Sequence, residues 1–196
     1  MEAAAFSLSM VDHGLDDSAI ASISFMVTEC IAKALIELLK EKPFSSISIS
    51  EITQKAGVSR MTYYRNFSSK EDILEKYIGS IFDNYHKEVY ANAKHASYIR
   101  YENVLLGFEY FRRYKDLAAC LLTNNLGWYI RDAVIRSELG LSLTSENDRQ
   151  SRYLFVAYAN TIFGVMSEWV ISGMQDDPKV LSKMICDIYQ DKLRRY

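Results

Sequence analysis

One short stretch of the chain, KAGVSRMTYYRNFSSKEDIL at residues 55–74, concentrates side chains that can bind an anion. The window 52–70 holds no Asp or Glu but four basic residues: Lys55, Arg60, Arg65 and Lys70. Two adjacent tyrosines, which offer hydroxyl donors, lie between the two arginines. The whole 196-residue chain has a net charge of −2, so any affinity for nucleic acid must come from a local patch such as this one.

The residues around this patch predict two short helices joined by a tight turn. Ser48 and Glu51 have the spacing of a capping box, which starts the first helix. Gly57 ends that helix because the turn needs a residue tolerant of positive φ. Ser59 then caps a second helix over residues 60–66. Such a pair is typical of a helix-turn-helix, whose second helix enters the major groove of DNA.

The residue types fit that docking. Phosphate oxygens suit the donors Ser48, Thr62, Tyr64 and Lys70. Arg60 suits the O6 and N7 edge of guanine, and Met61 suits the methyl group of thymine. From spacing alone, a solvated helix pair in an ordinary bundle remains an equal alternative.

A longer segment, ISEITQKAGVSRMTYYRNFSSKEDIL, resembles the DNA-binding domain of the TetR/AcrR family of bacterial transcriptional repressors. Together with the preceding Ser48, it matches the family pattern at Ile52, Ala56, Gly57, Val58, Ser59, Thr62, Tyr63, Tyr64, Phe67, Lys70, Glu71 and Leu74. The amphipathic stretch ECIAKALIELLKEKPF resembles the first helix of the family, so the resemblance is strong over about residues 25–80. The remainder resembles the family in layout only.

The resemblance implies roles for individual residues. Phosphates would be held by Ser48, Thr62, Tyr64 and Lys70. Bases or the groove wall would be faced by Ser50, Arg60, Met61 and Tyr63. Thr53 and Asn66 depart from the family pattern, and the acidic Asp16 and Asp17 predict no basic arm before the first helix.

Helical periodicity extends over the rest of the chain, and no stretch reads as a strand. The predicted helices cover about residues 18–41, 48–57, 60–66, 70–94, 101–121, 126–140, 148–173 and 178–194. The predicted fold is all-α, with a three-helix DNA-binding bundle followed by a larger helical domain. We predict an irregular N-terminal extension at 1–17, a helix-turn-helix domain at 18–80, and a dimerisation and effector-binding domain at 81–196.

The helix predicted at 148–173 carries apolar residues around most of its circumference, so it must be covered on more than one face. A second subunit is a natural cover, the alternative being the centre of a monomeric core. A two-fold dimer would present two heads to half-sites about 34–36 Å apart. The predicted dimer interface comprises Tyr153, Val156, Asn160, Gly164, Ile185 and Ile188.

Aromatic residues of the second domain are candidates for the wall of an effector pocket, as the resemblance implies. They are Phe108, Phe111, Tyr114, Trp128, Tyr129, Tyr158 and Phe163. A small apolar or aromatic effector would fit such a wall. The alternative is that these rings simply pack as core.

Other classes of function find little support. The three histidines do not cluster with carboxylates, and glycine-rich phosphate loops and hydrolase motifs are lacking, so neither an enzyme nor a cofactor or metal is predicted. Three widely spaced cysteines indicate buried thiols of a cytoplasmic protein. The acidic N-terminus is unlike a secretory signal, and the uncharged run 153–167 is short for a membrane span, so a buried helix is expected there.

The sequence therefore predicts a sequence-specific DNA-binding transcriptional regulator. We expect a repressor that binds a pseudo-palindromic operator as a homodimer and that a small effector releases. The alternative is an interaction protein that keeps the helix-turn-helix fold but binds a partner protein rather than DNA. The nearly neutral charge of the head favours that alternative, and the salt dependence of binding separates the two.

Overall fold

A computed structural model describes residues 17–90, 100–142 and 149–193, with side chains described over 25–88, 100–137 and 152–189. The predictions for residues 1–16, for the end of the helix near residue 94 and for the loop before residue 149 lie outside the described residues. Within these ranges all regular structure is helical, which confirms the predicted all-α class.

The chain divides into two compact units between Tyr77 and Ile78. The helix Lys70–Tyr90 contains this boundary, so its first residues belong to one unit and the rest to the other. The sequence places its domain boundary three residues later, after residue 80, in the same helix.

The first unit contains four helical segments and a short turn. Helix α1 (Asp17–Leu39) precedes a 3₁₀ turn (Phe44–Ser46), and α2 (Ile49–Ala56) and α3 (Arg60–Asn66) form the helix-turn-helix. Helix α4 (Lys70–Tyr90) begins in this unit. Its core is built from aliphatic and aromatic side chains that are almost completely buried: Ile31, Leu35, Ile47, Ile52, Tyr63, Phe67, Ile73 and Leu74.

The second unit contains the end of α4 and five further helices. They are α5 (Tyr101–Phe111), α6 (Lys115–Thr123), α7 (Trp128–Ser142), α8 (Arg149–Ile171) and α9 (Pro178–Leu193). Helix α7 packs against α8, and α9 packs against α5. One buried cluster joins α5, α8 and α9 through Val104, Phe108, Tyr158, Trp169, Ile185, Cys186 and Tyr189.

The single helix predicted at 101–121 is divided in the structure. A 3₁₀ turn over Arg112–Tyr114 separates α5 from α6, and Tyr114 leaves helical geometry at φ −108° and ψ 22°. Arg113 supports the turn, since its Nε donates to the carbonyl of Tyr110 at 3.2 Å and its guanidinium lies 4.0 Å from the centre of the Tyr110 ring. The turn contains neither Gly nor Pro, which explains why periodicity did not indicate it.

Helix α8 is less covered than its composition predicts. Its segment Arg152–Ile171 is 20 residues long with a mean hydropathy of 1.4, enough by length and composition alone to cross a membrane. Core helices of other proteins share those two properties. Only 17% of its most apolar window is buried, so the expectation of a buried helix is not met among the described residues.

Candidate nucleic-acid interface

The predicted caps of the helix-turn-helix are present. The Ser48 hydroxyl accepts from the backbone N–H of Glu51, and the Glu51 carboxylate accepts from the backbone N–H of Ser48 at 2.9 Å, which completes the capping box. Gly57 ends α2 in the left-handed region, at φ 69° and ψ 28°. Ser59 caps α3 by accepting from the backbone N–H of Thr62 at 3.0 Å. These contacts fix where α3 starts and which of its side chains face outward.

Helix α3 has one buried and one exposed face. Thr62 and Tyr63 are 5% and 0% exposed and face the core. Met61 and Tyr64 are 81% and 54% exposed, and Arg60 and Arg65 are exposed beside them. Large apolar side chains are rarely this exposed without a binding role when they cluster. The exposed face of α3, defined as Arg60, Met61, Tyr64 and Arg65, is therefore the candidate reading surface.

The two arginines of this surface differ from most basic residues of the first unit in having no carboxylate partner among the described residues. Its other helices carry lysines that are paired with carboxylates: Lys33 with Glu29, Lys40 with Glu37, Lys42 with Glu51, Lys55 with Glu41 and Lys76 with Asp72. Arg60 and Arg65 have no carboxylate partner among the described residues. Arg60 makes one long contact, from Nη2 to the Tyr64 hydroxyl at 3.4 Å. The net charge of the unit is small, but no described carboxylate pairs with either arginine of α3.

Tyr63 was predicted to face the bases or the groove wall, but it lies in the core of the first unit. Its ring is fully buried and packs against Phe67 with ring centroids 5.7 Å apart. Its hydroxyl finds no hydrogen-bond partner among the described residues, and burial, the largest cause, raises the pKa of Tyr63 to about 12. On a seven-residue helix, position 63 shares the inward face with Thr62, so a role in contacting bases is not compatible with this geometry.

The hydroxyls of Ser48 and Thr62 already have partners within the protein. Ser48 Oγ lies 2.7 Å from Glu51 Oε2, and Thr62 Oγ1 lies 2.9 Å from Ser59 Oγ. Ser50 is exposed near the start of α2. Among the five hydroxyl-bearing residues predicted to face DNA, Tyr64 is therefore the one on the exposed face of α3.

Lys70 has an unexpected set of contacts. Its Nζ donates to the carbonyls of Phe44 at 2.8 Å and Ile47 at 2.7 Å, and it lies 4.7 Å from the centre of the Phe44 ring. An ammonium has three donors, so one N–H remains for a phosphate. Lys70 thus ties the start of α4 to the turn that precedes α2.

Arg65 was part of the basic window but was not among the predicted site residues. It is exposed on the last turn of α3, on the same side as Arg60 and Tyr64. The signal that would have found it is helical spacing, because positions 60, 61, 64 and 65 share one face of a helix. We add it to the candidate interface.

In the second unit, five of the seven predicted pocket residues line one cavity of about 90 Å³: Phe108, Phe111, Tyr114, Tyr158 and Phe163. Trp128 and Tyr129 do not line it. Trp128 is 44% exposed and stacks on Tyr129 with centroids 3.6 Å apart, and Tyr129 is buried. At the first turn of α7 the two rings are neighbours in sequence, so they pack on each other instead of into the cavity.

The residues predicted for the dimer interface fall into two groups. Tyr153 and Ile188 are 72% and 50% exposed, Asn160 and Gly164 are exposed, and Val156 is half-buried. Ile185 is completely buried in the cluster with Phe108 and Trp169, so it cannot reach a partner and is removed from the predicted interface. Positions 185 and 188 of α9 differ by three residues, and only the second points away from the core.

The described residues offer no cluster of metal-binding side chains. No group of three or more His, Cys, Asp or Glu is arranged to hold a metal ion in that part of the chain. His86 is half-buried, with Nε2 2.7 Å from Ser137 Oγ. Burial lowers the pKa of His86, and the nearby Asp83 opposes that effect. His13 and His95 lie outside the described residues.

Comparison with known proteins agrees with the geometry of the first unit. Residues 31–77 match the family model of bacterial regulatory proteins of the tetR family. An uncharacterised HTH-type transcriptional regulator, YerO of Bacillus subtilis, is 33% identical over 103 residues, which cover 50% of this chain and 36% of YerO. The HTH-type transcriptional regulator AlkX of Mycobacterium tuberculosis is 27% identical over 168 residues, or 82% of this chain and 71% of AlkX.

A solved structure shares the fold over most of the chain. It is a TetR transcriptional regulator from Streptococcus agalactiae, with a TM-score of 0.57 and 17% identity, covering 88% of this chain and 98% of that one. The chain spans only about a third of YerO. The helix-turn-helix and the match over residues 31–77 show a DNA-binding segment of the tetR family of bacterial regulatory proteins, and the solved structure shows the same fold over most of the chain.

Proposed function

We propose that this chain is a cytoplasmic transcriptional regulator that binds a pseudo-palindromic operator as a homodimer and represses transcription by occupying it. The exposed face of α3 is the observation that carries the proposal. It combines two arginines that have no carboxylate partner among the described residues with an exposed methionine and an exposed tyrosine, on a helix whose start is fixed by a cap.

Each member of that face has a chemical role in the proposal. Arg60, at the first position of α3, donates to a guanine edge, and Met61 contacts a thymine methyl. Tyr64 and Arg65 donate to phosphates, which hold the helix in register on the duplex. Tyr64 also lies 3.4 Å from Arg60, so the phosphate contact and the base contact are made by neighbouring side chains.

The dimer is proposed from the uncovered faces of α8 and α9. Along α8, the exposed positions Tyr153, Asn160, Gly164 and Ile171 recur at helical spacing. On α9, Val180, Met184 and Ile188 are 65%, 43% and 50% exposed. A second copy of the same two helices buries both stripes in a four-helix arrangement, and glycine at position 164 allows the helices to approach closely.

The second unit is proposed to bind a small effector in its cavity. The effector acts by binding more tightly to the form of the dimer that releases DNA. The cavity is bounded by α4, α5, α6, α7 and α8, and α4 is also the helix whose first residue, Lys70, belongs to the DNA-binding unit. An effector that shifts α4 therefore acts on an element of both units.

The proposal is tested by selection of DNA fragments. The purified protein is mixed with sheared genomic DNA of its source at low and moderate salt, and bound fragments are sequenced. We expect enrichment of one palindromic site that Tyr64→Ala abolishes. Lys33→Ala is the matched control, because Lys33 is an exposed, ion-paired residue of α1 outside the α3 surface.

Enrichment that is uniform, or that survives in Tyr64→Ala, contradicts the proposal. The alternative, a partner-binding protein with the same fold, is separated by salt. Binding through phosphates weakens steeply as salt rises because counterions are released, whereas an apolar protein interface changes little.

A further inference from the structure

We propose that the cavity of the second unit selects an uncharged, largely apolar small molecule and discriminates against anionic and cationic analogues of the same size. This inference rests on the proposed effector function and specifies the chemistry of the ligand. It does not depend on which operator is bound.

The wall of the cavity carries no charged side chain among the residues that the structure describes. None of these lining residues is Asp, Glu, Lys, Arg or His. Most are aliphatic or aromatic side chains, including Ile81, Phe82, Val104, Leu117 and Val170. The polar groups in the wall are neutral and belong to Asn103, Ser167 and three tyrosines.

The charged side chains that are described on the same helices lie outside the lining of the cavity. On α5 and the turn after it, Glu102, Glu109, Arg112 and Arg113 are exposed. Arg113 extends to Glu88 on α4 at 2.9 Å, and both members of the pair are more than half exposed. The carboxylate of Asp132 on α7, half-buried, pairs with its neighbour Arg131 at 2.9 Å. These charged side chains are not among the lining residues of the cavity.

The consequence is a difference in desolvation. A charged ligand entering this wall loses its hydration and gains no opposite charge, which is costly in an apolar site. A neutral ligand of equal length loses little hydration free energy, and its single hydroxyl or carbonyl can form a hydrogen bond with a neutral group of the wall. Ser167, which lines the cavity, offers one such neutral hydroxyl.

The chain contains an internal reporter of cavity occupancy. Trp169 is 2% exposed and lies edge-on to Phe108, which lines the cavity, with ring centroids 5.3 Å apart. Trp169 is also next to the lining residue Val170 in sequence. The other tryptophan, Trp128, is partly exposed and does not line the cavity, so Trp128→Phe leaves a single reporter.

The test uses full-length Trp128→Phe protein and three probes of one chain length: 1-octanol, octanoate and octylammonium at pH 7. Trp169 fluorescence and titration calorimetry are recorded together, so that a spectroscopically silent complex is still detected. We expect saturable binding of 1-octanol and at least about tenfold weaker binding of both charged probes. Octanoate or octylammonium that binds as tightly as 1-octanol overturns the proposal, as does no binding of 1-octanol.

Location is tested with a pair of neighbouring substitutions on α6. Ala118 lines the cavity and Ala119 does not, so Ala118→Leu fills it whereas Ala119→Leu is the control. We expect Ala118→Leu to weaken 1-octanol binding by about tenfold or more and Ala119→Leu to leave it unchanged. Equal binding by both variants overturns the assignment to this cavity.

The effector role is measured separately from ligand choice. 1-Octanol is added to the complex of the protein with its selected operator, and release is followed. Release supports both claims. Selective binding of 1-octanol without release of DNA upholds the ligand class and refutes release by this class of ligand. Failure of the ligand class is therefore distinguishable from failure of the effector role.

Discussion

Tyr63 and Tyr64 are adjacent in sequence, with their rings edge-to-face and centroids 5.2 Å apart, yet one is fully buried and the other is 54% exposed. The Tyr63 hydroxyl is buried without a hydrogen-bond partner among the described residues, whereas the Tyr64 hydroxyl faces outward beside Arg60. The two phenols therefore have different functions, although they are chemically identical. The first fills the core and the second is available to DNA.

We predict that replacing tyrosine with phenylalanine changes stability at position 63 and DNA affinity at position 64. Tyr63→Phe removes an unpaired buried hydroxyl and raises the free energy of unfolding by about 1 kcal/mol, without changing DNA affinity. Tyr64→Phe leaves stability unchanged and weakens binding to all DNA sequences by a factor of about 5, the worth of one hydrogen bond. Urea denaturation and a DNA titration on both variants check this. A loss of DNA affinity in Tyr63→Phe would contradict the assignment.

Lys70 is predicted to act through structure as well as through charge. Lys70→Met keeps the aliphatic stem but leaves the carbonyls of Phe44 and Ile47 without their donor. We expect the free energy of unfolding to fall by about 1–3 kcal/mol. Lys55→Met, which breaks an exposed pair with Glu41, is the control and should cost less than about 1 kcal/mol. Equal stability of wild type and Lys70→Met would show that the two contacts are not maintained.

The capping box predicts a specific dependence of stability on acid. The hydrogen bond from Lys42, followed by those from the Ser48 backbone and side chain, lowers the pKa of Glu51 from 4.5 to about 2. A lowered pKa in the folded state gives stability that is present above pH 4.5 and is lost as the pH falls towards 2.

Glu51→Gln tests this linkage because glutamine keeps the capping geometry and loses the charge. We expect the variant to lose less stability than the wild type between pH 4.5 and pH 2. Glu75→Gln changes an exposed carboxyl of α4 and serves as the control. Parallel acid denaturation curves for wild type and Glu51→Gln would rule out the proposed linkage.

If the exposed stripes of α8 and α9 form the dimer interface, a single charge placed in them should disrupt the dimer. Ile188→Arg places a charge in the proposed interface and should convert the dimer into a 22.6 kDa monomer with much weaker operator binding. Leu106→Arg, at an exposed leucine of α5 outside the stripe, should remain dimeric. Sedimentation at micromolar concentration measures both, and a monomeric wild type would refute the dimer.

The local features of the DNA-binding unit could be read from the sequence because they are short-range. Ser48 with Glu51, Gly57 and Ser59 determine caps and a turn through contacts within a few residues. The prediction was less successful at Tyr63, because exposure depends on which face of α3 meets α1. The contacts of Lys70 could not be predicted either, because they depend on tertiary packing: its carbonyl partners lie 23 and 26 residues away in sequence.

In the second unit, helices were predictable and their packing was not. Periodicity indicated α7, α8 and α9, but it could not show the 3₁₀ turn at Arg112–Tyr114, which has no helix-breaking residue. Apolar character alone did not separate Ile185, which is buried, from Ile188, which is exposed. Nor could it separate Phe108, which lines the cavity, from Tyr129, which packs elsewhere.

The most direct test of the α3 reading surface is the ratio of affinities for the selected operator and a scrambled duplex of equal composition. It is measured for wild type, for Arg60→Ala and for Arg112→Ala, an exposed arginine of the second unit that pairs with Glu109. If Arg60 reads a base, Arg60→Ala lowers the ratio by about 10- to 100-fold, and Arg112→Ala keeps the wild-type ratio. An unchanged ratio in Arg60→Ala would contradict base reading by α3.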